Sequence, residues 1–521
     1  MTTVGSMSTR RVALAALLAF ALLAGACSDD DGASGEPLDL SNWFGSTTSP
    51  SDGTDDPADD DPTDDPASAL EWDTSSQLHR AILEVPLDHD DPSAGTIELA
   101  LARRVASNPD QRIGAILVNP GGPGGSGLDI APLFAFLFSA EIRERFDLVT
   151  WDPRGVGDST RVVCGDGELM DRYVSIDPVP ATAEAEAAVE DVLAEFVAAC
   201  QADSGRLLPH LHTEASARDM DLIREALGDE QISYLGFSYG TLLGATYIEL
   251  HPERVRAFVL DGAYSRSLGL ADLSEGQALG FERSLDTFFE WCTSRRCRFG
   301  EADGDLGSRF DALMEAIRAT PLPTTDSDGR DLTVGLAWTG VVAAMYSPEF
   351  WSQLDRALAD ARDGDGDGLL ALADFYNERS PGAEFSAQHY AFAAYNCMDS
   401  PRVSPAEEQA AIDRVLRAAP RVGPIFVSTP SPCDQWPVEP VGTNEPFSAP
   451  DAPPILVIAT TGDPATPYAW GVRLADELES ASLLTVEGDT HTAFAGGNRC
   501  VDELVERYLI EAAVPAGELS C

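Results

Sequence analysis

Ile232-Ser-Tyr-Leu-Gly236-Phe237-Ser238-Tyr239-Gly240-Thr241 decides the fold. A short apolar run of strand character (Gln231–Gly236) leads into Gly-x-Ser-x-Gly, and the chain continues as an apolar helix over Thr241–Leu250. That order makes a common pentapeptide into a nucleophile elbow, a sharp strand-to-helix turn that lifts a serine hydroxyl above the end of a sheet. Glycines flank the serine because side chains there would collide with the neighbouring strand and helix. The plainer reading is a glycine-rich turn with an incidental serine, and the strand–turn–helix context argues against it.

Working outward, strands alternate with helices. Ala81–Pro86, Thr96–Val105, Ile113–Asn119 and Phe146–Trp151 read as strands, Ala215–Leu227 as an amphipathic helix and Arg256–Asp261 as the strand after the elbow helix. From Ser265 to Glu445 helical stretches such as Trp351–Arg362 and Leu369–Glu378 predominate. The rhythm returns with a strand at Pro454–Thr460, a helix at Ala469–Leu478, a strand at Ser482–Val486 and a last helix at Val501–Ala512. Such alternation predicts a mostly parallel sheet flanked by helices. The expected organisation is a core over 71–264 and 446–521, interrupted by a mostly helical cap over 265–445.

A serine at its free pKa is a poor nucleophile; it needs a base, and the base needs a group that fixes its tautomer. Of seven histidines, His491 alone follows a late strand in a loop before the terminal helix. Asp463, in Thr461-Gly462-Asp463-Pro464, comes at the end of the preceding strand. Ser…Asp…His is the chain order of the α/β-hydrolase fold, so Ser238, Asp463 and His491 are the expected triad. Glu487 and Asp489 share the histidine's loop and are rivals for the acid. Donors to an oxyanion, about 2.7–4 kcal/mol each, would be the N–H of Tyr239 and that of Gly122, in Asn119-Pro-Gly-Gly-Pro-Gly-Gly-Ser-Gly127. The same glycines, with Asp152 ending the next strand, also match a dinucleotide fingerprint. That reading leaves the Ser/Asp/His set unexplained and puts Pro123 inside the tight turn, so no cofactor is expected.

The N-terminus bears on location. Arg10 and Arg11 precede the apolar run Val12–Leu23, too short to span a bilayer, and Leu23-Ala24-Gly25-Ala26-Cys27 resembles the lipobox of bacterial lipoproteins. A signal peptide over 1–26 and lipidation of Cys27 are expected, with the protein exported and anchored on the outer face of the cytoplasmic membrane, or secreted. Residues 27–70 read as a disordered acidic tether: Ser28–Pro66 holds 12 Asp and one Glu with no basic residue. Cys164, Cys200, Cys292, Cys297, Cys397, Cys433, Cys500 and Cys521 remain, an even number that in an exported chain favours disulfides, with sequential neighbours paired.

The whole 521-residue chain has 44% hydrophobic residues, enough for a large core. It sets 87 acidic residues against 34 basic ones, all arginine, for a net charge of −53. A field of that sign repels a polyanion, so nucleic acid is excluded as a partner. No metal site is expected from the cysteines, which lack metal-ligand spacing. Asp363-Gly-Asp365-Gly-Asp367-Gly368 with Asp374 has the spacing of an EF-hand loop but lacks its final Glu, and a helix–helix turn is the preferred reading.

Together Asn119-Pro-Gly-Gly-Pro-Gly, Trp151-Asp-Pro-Arg-Gly-Val-Gly157, Gly236-Phe-Ser-Tyr-Gly-Thr241, Val259-Leu-Asp-Gly262 and Gly462-Asp463-Pro-Ala-Thr-Pro467 resemble the actinobacterial secreted tripeptidyl aminopeptidases and prolyl iminopeptidase-like α/β-hydrolases, from Glu71 to Cys521. The resemblance implies a serine exopeptidase that takes peptides by their free N-terminus. The prolyl enzymes usually carry His before the Gly-Gly-Pro block, where Asn119-Pro120 stands here, which argues against strict proline specificity. Acidic cap residues bind the α-amino group in such enzymes; Glu282, Glu384 and Asp399 are the candidates. An esterase or lipase is the alternative, since fold and triad do not define the acyl group; a non-catalytic binding lipoprotein is a third possibility.

Overall fold

Strands that read as unbroken apolar runs belong in a sheet covered on both faces. In a computed structural model of the chain, which describes residues 70–300, 305–428, 431–515 and 517–521, β3 (Gly114–Asn119), β4 (Phe146–Trp151) and β9 (Ile455–Thr460) are buried at every residue. The expected signal peptide, Cys27 and the acidic tether lie outside the described residues. The remaining strands are β1 (His79–Pro86), β2 (Thr96–Arg104), β5 (Ile232–Phe237), β6 (Val255–Asp261), β7 (Arg379–Ser380), β8 (Glu384–Phe385), β10 (Ala481–Val486) and β11 (Leu519–Ser520).

Nine of them form one sheet in the order β1-β2-β4-β3-β5-β6-β9-β10-β11. The pairs β1–β2 and β2–β4 are antiparallel and all others parallel. This is the α/β-hydrolase architecture expected from the sequence. Residues alternate between two cores: Ala115 and Leu117 join one side with Trp151, Tyr234 and Tyr247, and Ile116 and Val118 join the other with Leu148, Leu235 and Val259. Register aligns the C-terminal ends, with Asn119 opposite Gly236, Phe237 opposite Asp261, and Asp261 opposite Ile458. Open parallel sheets place their sites at this end.

Between β6 and β9 the described residues are mostly helical, with the small β7–β8 pair and an isolated Leu322–Leu332 bridge. Helices Leu270–Arg295, Leu306–Ala319, Val334–Met345, Trp351–Arg362 and Asp367–Tyr376 share an aromatic-rich core of their own that includes Phe281, Phe288, Phe310, Trp338 and Trp351. Helix Gln388–Asp399 differs: its Tyr390, Ala394, Tyr395 and Met398 pack into the core of the sheet. The cysteines pair as sequential neighbours, 164 with 200, 292 with 297, 397 with 433 and 500 with 521. The EF-hand-like segment is a turn between helices. Asp367 accepts from the Thr325 N–H and hydroxyl at 2.6 and 2.7 Å, Asp374 pairs with Arg330 and Asp363 with Arg362. These side chains are spent on separate protein partners instead of converging on an ion.

Arg154, in the loop after β4, has no exposed surface. Its guanidinium grips Asp219 of helix Thr213–Ala226 through two 2.7 Å bonds and donates to the carbonyls of Pro86, Leu87 and His210. One ion pair thus ties β1, the β4 loop and two stretches of the helical layer together. Removing one member of such a pair leaves a buried charge uncompensated, so Arg154→Met is expected to lose about 3–5 kcal/mol of stability in urea unfolding. A loss under about 0.5 kcal/mol would contradict this account of the pair.

Candidate active site

Ser238 stands where β5 ends and helix Tyr239–Leu250 begins, with φ 53° and ψ −119°. A non-glycine residue is held in that region only where its surroundings over-determine it, and here they do. Its N–H donates to the Asp261 carbonyl at 2.9 Å and its carbonyl accepts from the Thr241 N–H at 2.8 Å. A Cβ on Gly236 would come 2.4 Å from the Gly240 carbonyl oxygen, and one on Gly240 would come 2.9 Å from Asn119 Oδ1. The turn closes only with glycine at both places.

The glycine loop after β3 lies directly on this turn. A Cβ on Gly121 would meet the Phe237 carbonyl at 2.5 Å, Ser238 Cβ at 3.1 Å and the Tyr239 nitrogen at 3.3 Å. Gly121 donates its own N–H to Asn119 Oδ1, and Asp152 fastens the far end of the loop by accepting from the Ser126 hydroxyl and the Leu128 N–H while its other oxygen accepts from the Asp158 N–H. Burial pushes the Asp152 carboxyl up to about 6 against these bonds. The dinucleotide reading needs Asp152 free for a ribose, whereas here it is buried and holds three hydrogen bonds within its own loops. The Tyr239 N–H belongs to the first helical turn, which has no intrahelical acceptors, and Gly122 is exposed at the mouth of the loop.

Asp463 is fully buried in the loop after β9. Its Oδ1 accepts from the N–H groups of Ala465 and Thr466 at 2.8 Å, its Oδ2 from the Thr466 hydroxyl at 2.9 Å, and both oxygens lie within 3.0 Å of His491 Nδ1. A carboxylate so placed keeps the proton on Nδ1 and leaves the Nε2 lone pair available. Burial lowers the His491 pKa, but the charge and hydrogen bond of Asp463 outweigh it and hold the imidazole above its usual value. Glu487 and Asp489, the rivals for the acid, lie exposed on the loop.

Several residues that local pattern did not single out complete the arrangement. Asp261, at the end of β6, accepts from the N–H groups of Ala493 and Phe494 through its carboxylate, while its carbonyl holds Ser238. Gly262 follows at φ 70°, where a Cβ would come 3.1 Å from His491 Cε1. From the cap, the Tyr346 carbonyl accepts the main-chain N–H of His491 at 2.8 Å and its ring meets the imidazole edge-on at 5.4 Å. Glu378 lies at the end of the same helical layer with φ 49°. Burial, reinforced by the negative charges of Asp129 and Asp152, pushes its carboxyl up to about 7 against a hydrogen bond from Ser386.

The three acids suggested for an amine are occupied or remote. Glu282 accepts from the N–H groups of Arg421 and Val422 inside the cap, Asp399 is held by Thr213, and Glu384 is exposed on β8. Among the described residues one grouping has metal-ligand types within reach, Cys292, Cys297 and Asp355. The two sulfurs are bonded to each other, and Asp355 accepts from the Arg298 and Phe299 N–H groups.

Residues 419–521 match the family model described as TAP-like protein. Serine protease Hip1 of Mycobacterium tuberculosis is 36% identical over 451 residues, which cover 84% of this chain and 86% of that one. Carboxylesterase B of the same organism is 37% identical, covering 85% and 86%. A tripeptidyl aminopeptidase of Streptomyces coelicolor is 28% identical over 466 residues, covering 87% and 84%.

The geometry predicts a pH dependence. With His491 as the general base, turnover would require its neutral form, and kcat/KM should fall with acidification through a pKa above the ordinary histidine value. Asp463→Asn should shift that limb to lower pH and reduce kcat by about 10⁴-fold. An unchanged limb and rate in a pH series on this variant would contradict the role of the pair.

Proposed function

Because this chain belongs to the TAP-like family of α/β-hydrolase serine peptidases, we propose that it is an aminopeptidase working through an acyl-enzyme on Ser238. The observation that carries the reading is the conjunction at the sheet's C-terminal end: a serine forced into a strained turn, a glycine loop lying on it, and an Asp463–His491 pair that leaves Nε2 free to accept a proton. Ser238 Oγ attacks the scissile carbonyl as His491 takes its proton. The oxygen that gains charge faces the N–H groups of Tyr239 and Gly122. His491 then protonates the departing amine, and water activated by the same imidazole releases the N-terminal fragment.

An exopeptidase must also read the chain end. Glu378 is the carboxylate we assign to the substrate ammonium: a half-buried acid in the cap that no salt bridge reaches among the described residues. It follows Tyr376, whose hydroxyl lies 3.4 Å from that of Tyr346, the residue over His491. An arriving ammonium would stabilise its charged form and bring its pKa down. A short path from Glu378 to Ser238 would limit the product to a few N-terminal residues.

The four disulfides fit an extracytoplasmic location. We extend this to a lipoprotein held at the membrane through Cys27, with the acidic segment as spacer. The esterase reading has one observation in its favour, the similarity to a protein named carboxylesterase B. The two readings part at Glu378. Glu378→Gln should raise KM at least tenfold for a short peptide amide with a free N-terminus and leave a p-nitrophenyl ester unaffected, with the wild type inactive on the N-acetylated peptide. Equal wild-type rates on free and acetylated peptides, or activity on the ester alone, would replace the aminopeptidase reading with the esterase one.

A further inference from the structure

Behind the elbow, on the side away from His491's loop, Tyr239 points its side chain into a hydrogen-bonded chain that the mechanism above does not use. Its hydroxyl lies 2.7 Å from Thr213 Oγ1, and the same Oγ1 lies 2.6 Å from Asp399 Oδ2. The Thr213 N–H donates to Asp399 Oδ1 at 2.8 Å. Thr213 has one hydroxyl proton; with Asp399 ionised that proton goes to the carboxylate, and Tyr239 must donate to Thr213. The direction of each bond is fixed in that ionised form, which the two Thr213 hydrogen bonds favour while burial pushes the Asp399 carboxyl up to about 7. Thr213 and Tyr239 are 4% and 3% exposed, so an unmet hydroxyl at either place costs the full desolvation penalty.

Asp399 is an unusual anchor. It closes helix Gln388–Asp399, where the helix dipole disfavours negative charge, but it also lies at the first residue of helix Thr213–Ala226, where the dipole favours it. No salt bridge reaches it among the described residues. With Asn396, Tyr264 and Asn444 it lines a cavity of about 110 Å³. The same helix grips the catalytic region at two further points. The Gln388 carbonyl would lie 2.6 Å from a Cβ on Gly124 of the glycine loop, and the Tyr395 ring meets Tyr239 edge-on at 5.7 Å. Both segments assigned to the oxyanion, Gly121–Gly124 and Tyr239, therefore rest against one helix.

We propose that Asp399 and Thr213 are positioning residues for acyl transfer, holding the Tyr239 side chain so that its backbone N–H stays aimed at the developing oxyanion. The inference rests on the assignment of Ser238 and Tyr239 given above. It accounts for a half-buried acid that no salt bridge reaches among the described residues, and it gives Asp399 a role other than amine binding. A positioning role acts on the oxyanion alone, so the effect falls on the transition state and appears in kcat, with KM unchanged.

The test uses the folded, disulfide-bonded protein with a free-N-terminus peptide amide, and active sites are titrated with a fluorophosphonate so that rates refer to competent enzyme only. Thr213→Val, which removes the hydroxyl at constant shape, should lower kcat per titrated site by about tenfold, less than the 10²–10³-fold cost of deleting an oxyanion donor outright. KM should stay within about twofold. Thr213→Ser should restore the rate, and Tyr239→Phe should reproduce the loss. Unchanged kcat per titrated site in Thr213→Val, or a loss that Thr213→Ser does not restore, would overturn the proposal. Absence of fluorophosphonate labelling in the wild type would instead refute the Ser238 assignment on which it rests.

Discussion

Asp261 is the constraint on which the site depends. It ends β6, the strand between β5 and β9, and its two functional ends face in different directions: the main-chain carbonyl takes the Ser238 N–H, and the carboxylate takes two N–H groups from the loop that carries His491. That loop contains Thr492 and Ala495 with positive φ, a conformation residues with side chains leave unless they are held. Burial pushes the Asp261 carboxyl up to about 6 although both N–H groups favour its charged form. The bonds that position the histidine loop thus depend on a carboxylate whose charge the protein interior opposes.

The cap contributes structure to the loops that carry Asp463 and His491 as well as covering them. Tyr346 accepts the His491 N–H, Arg283 reaches the carbonyls of Thr461 and Asp463, and Gln277 reaches that of Ala465. Gly280 exists as glycine because a Cβ there would come 2.2 Å from the Pro464 carbonyl. Helix Leu270–Arg295 is thereby pressed onto the loop of Asp463. Helix Gln388–Asp399 belongs to the main core by its packing, so core and cap meet across a continuous hydrophobic and hydrogen-bonded surface.

Much of this was legible in the chain. The strands around the elbow were readable to within one or two residues because a strand covered on both faces must be continuously apolar, and Phe146–Trp151 came out with the same limits. That Asp463 and His491 would meet was readable because the fold fixes their order and the strands they follow. What resisted reading was long-range. Nothing local in Val259-Leu-Asp-Gly262 says that the Asp261 carboxylate will meet N–H groups at positions 493 and 494. The three acids suggested for an amine were set apart for the same reason: only the tertiary structure shows that backbone N–H groups occupy Glu282 and that Thr213 occupies Asp399, while Glu378 takes a hydrogen bond from Ser386 alone among the described partners. The two-residue strand β11 carries too few residues to show a period of two.

The most direct test of the account is covalent labelling of the folded wild-type protein with a fluorophosphonate, read by intact mass and then by peptide mapping. The account predicts a single adduct per chain, on the peptide containing Ser238, and none in Ser238→Ala. No adduct on folded protein, or an adduct on another residue that persists in Ser238→Ala, would contradict it.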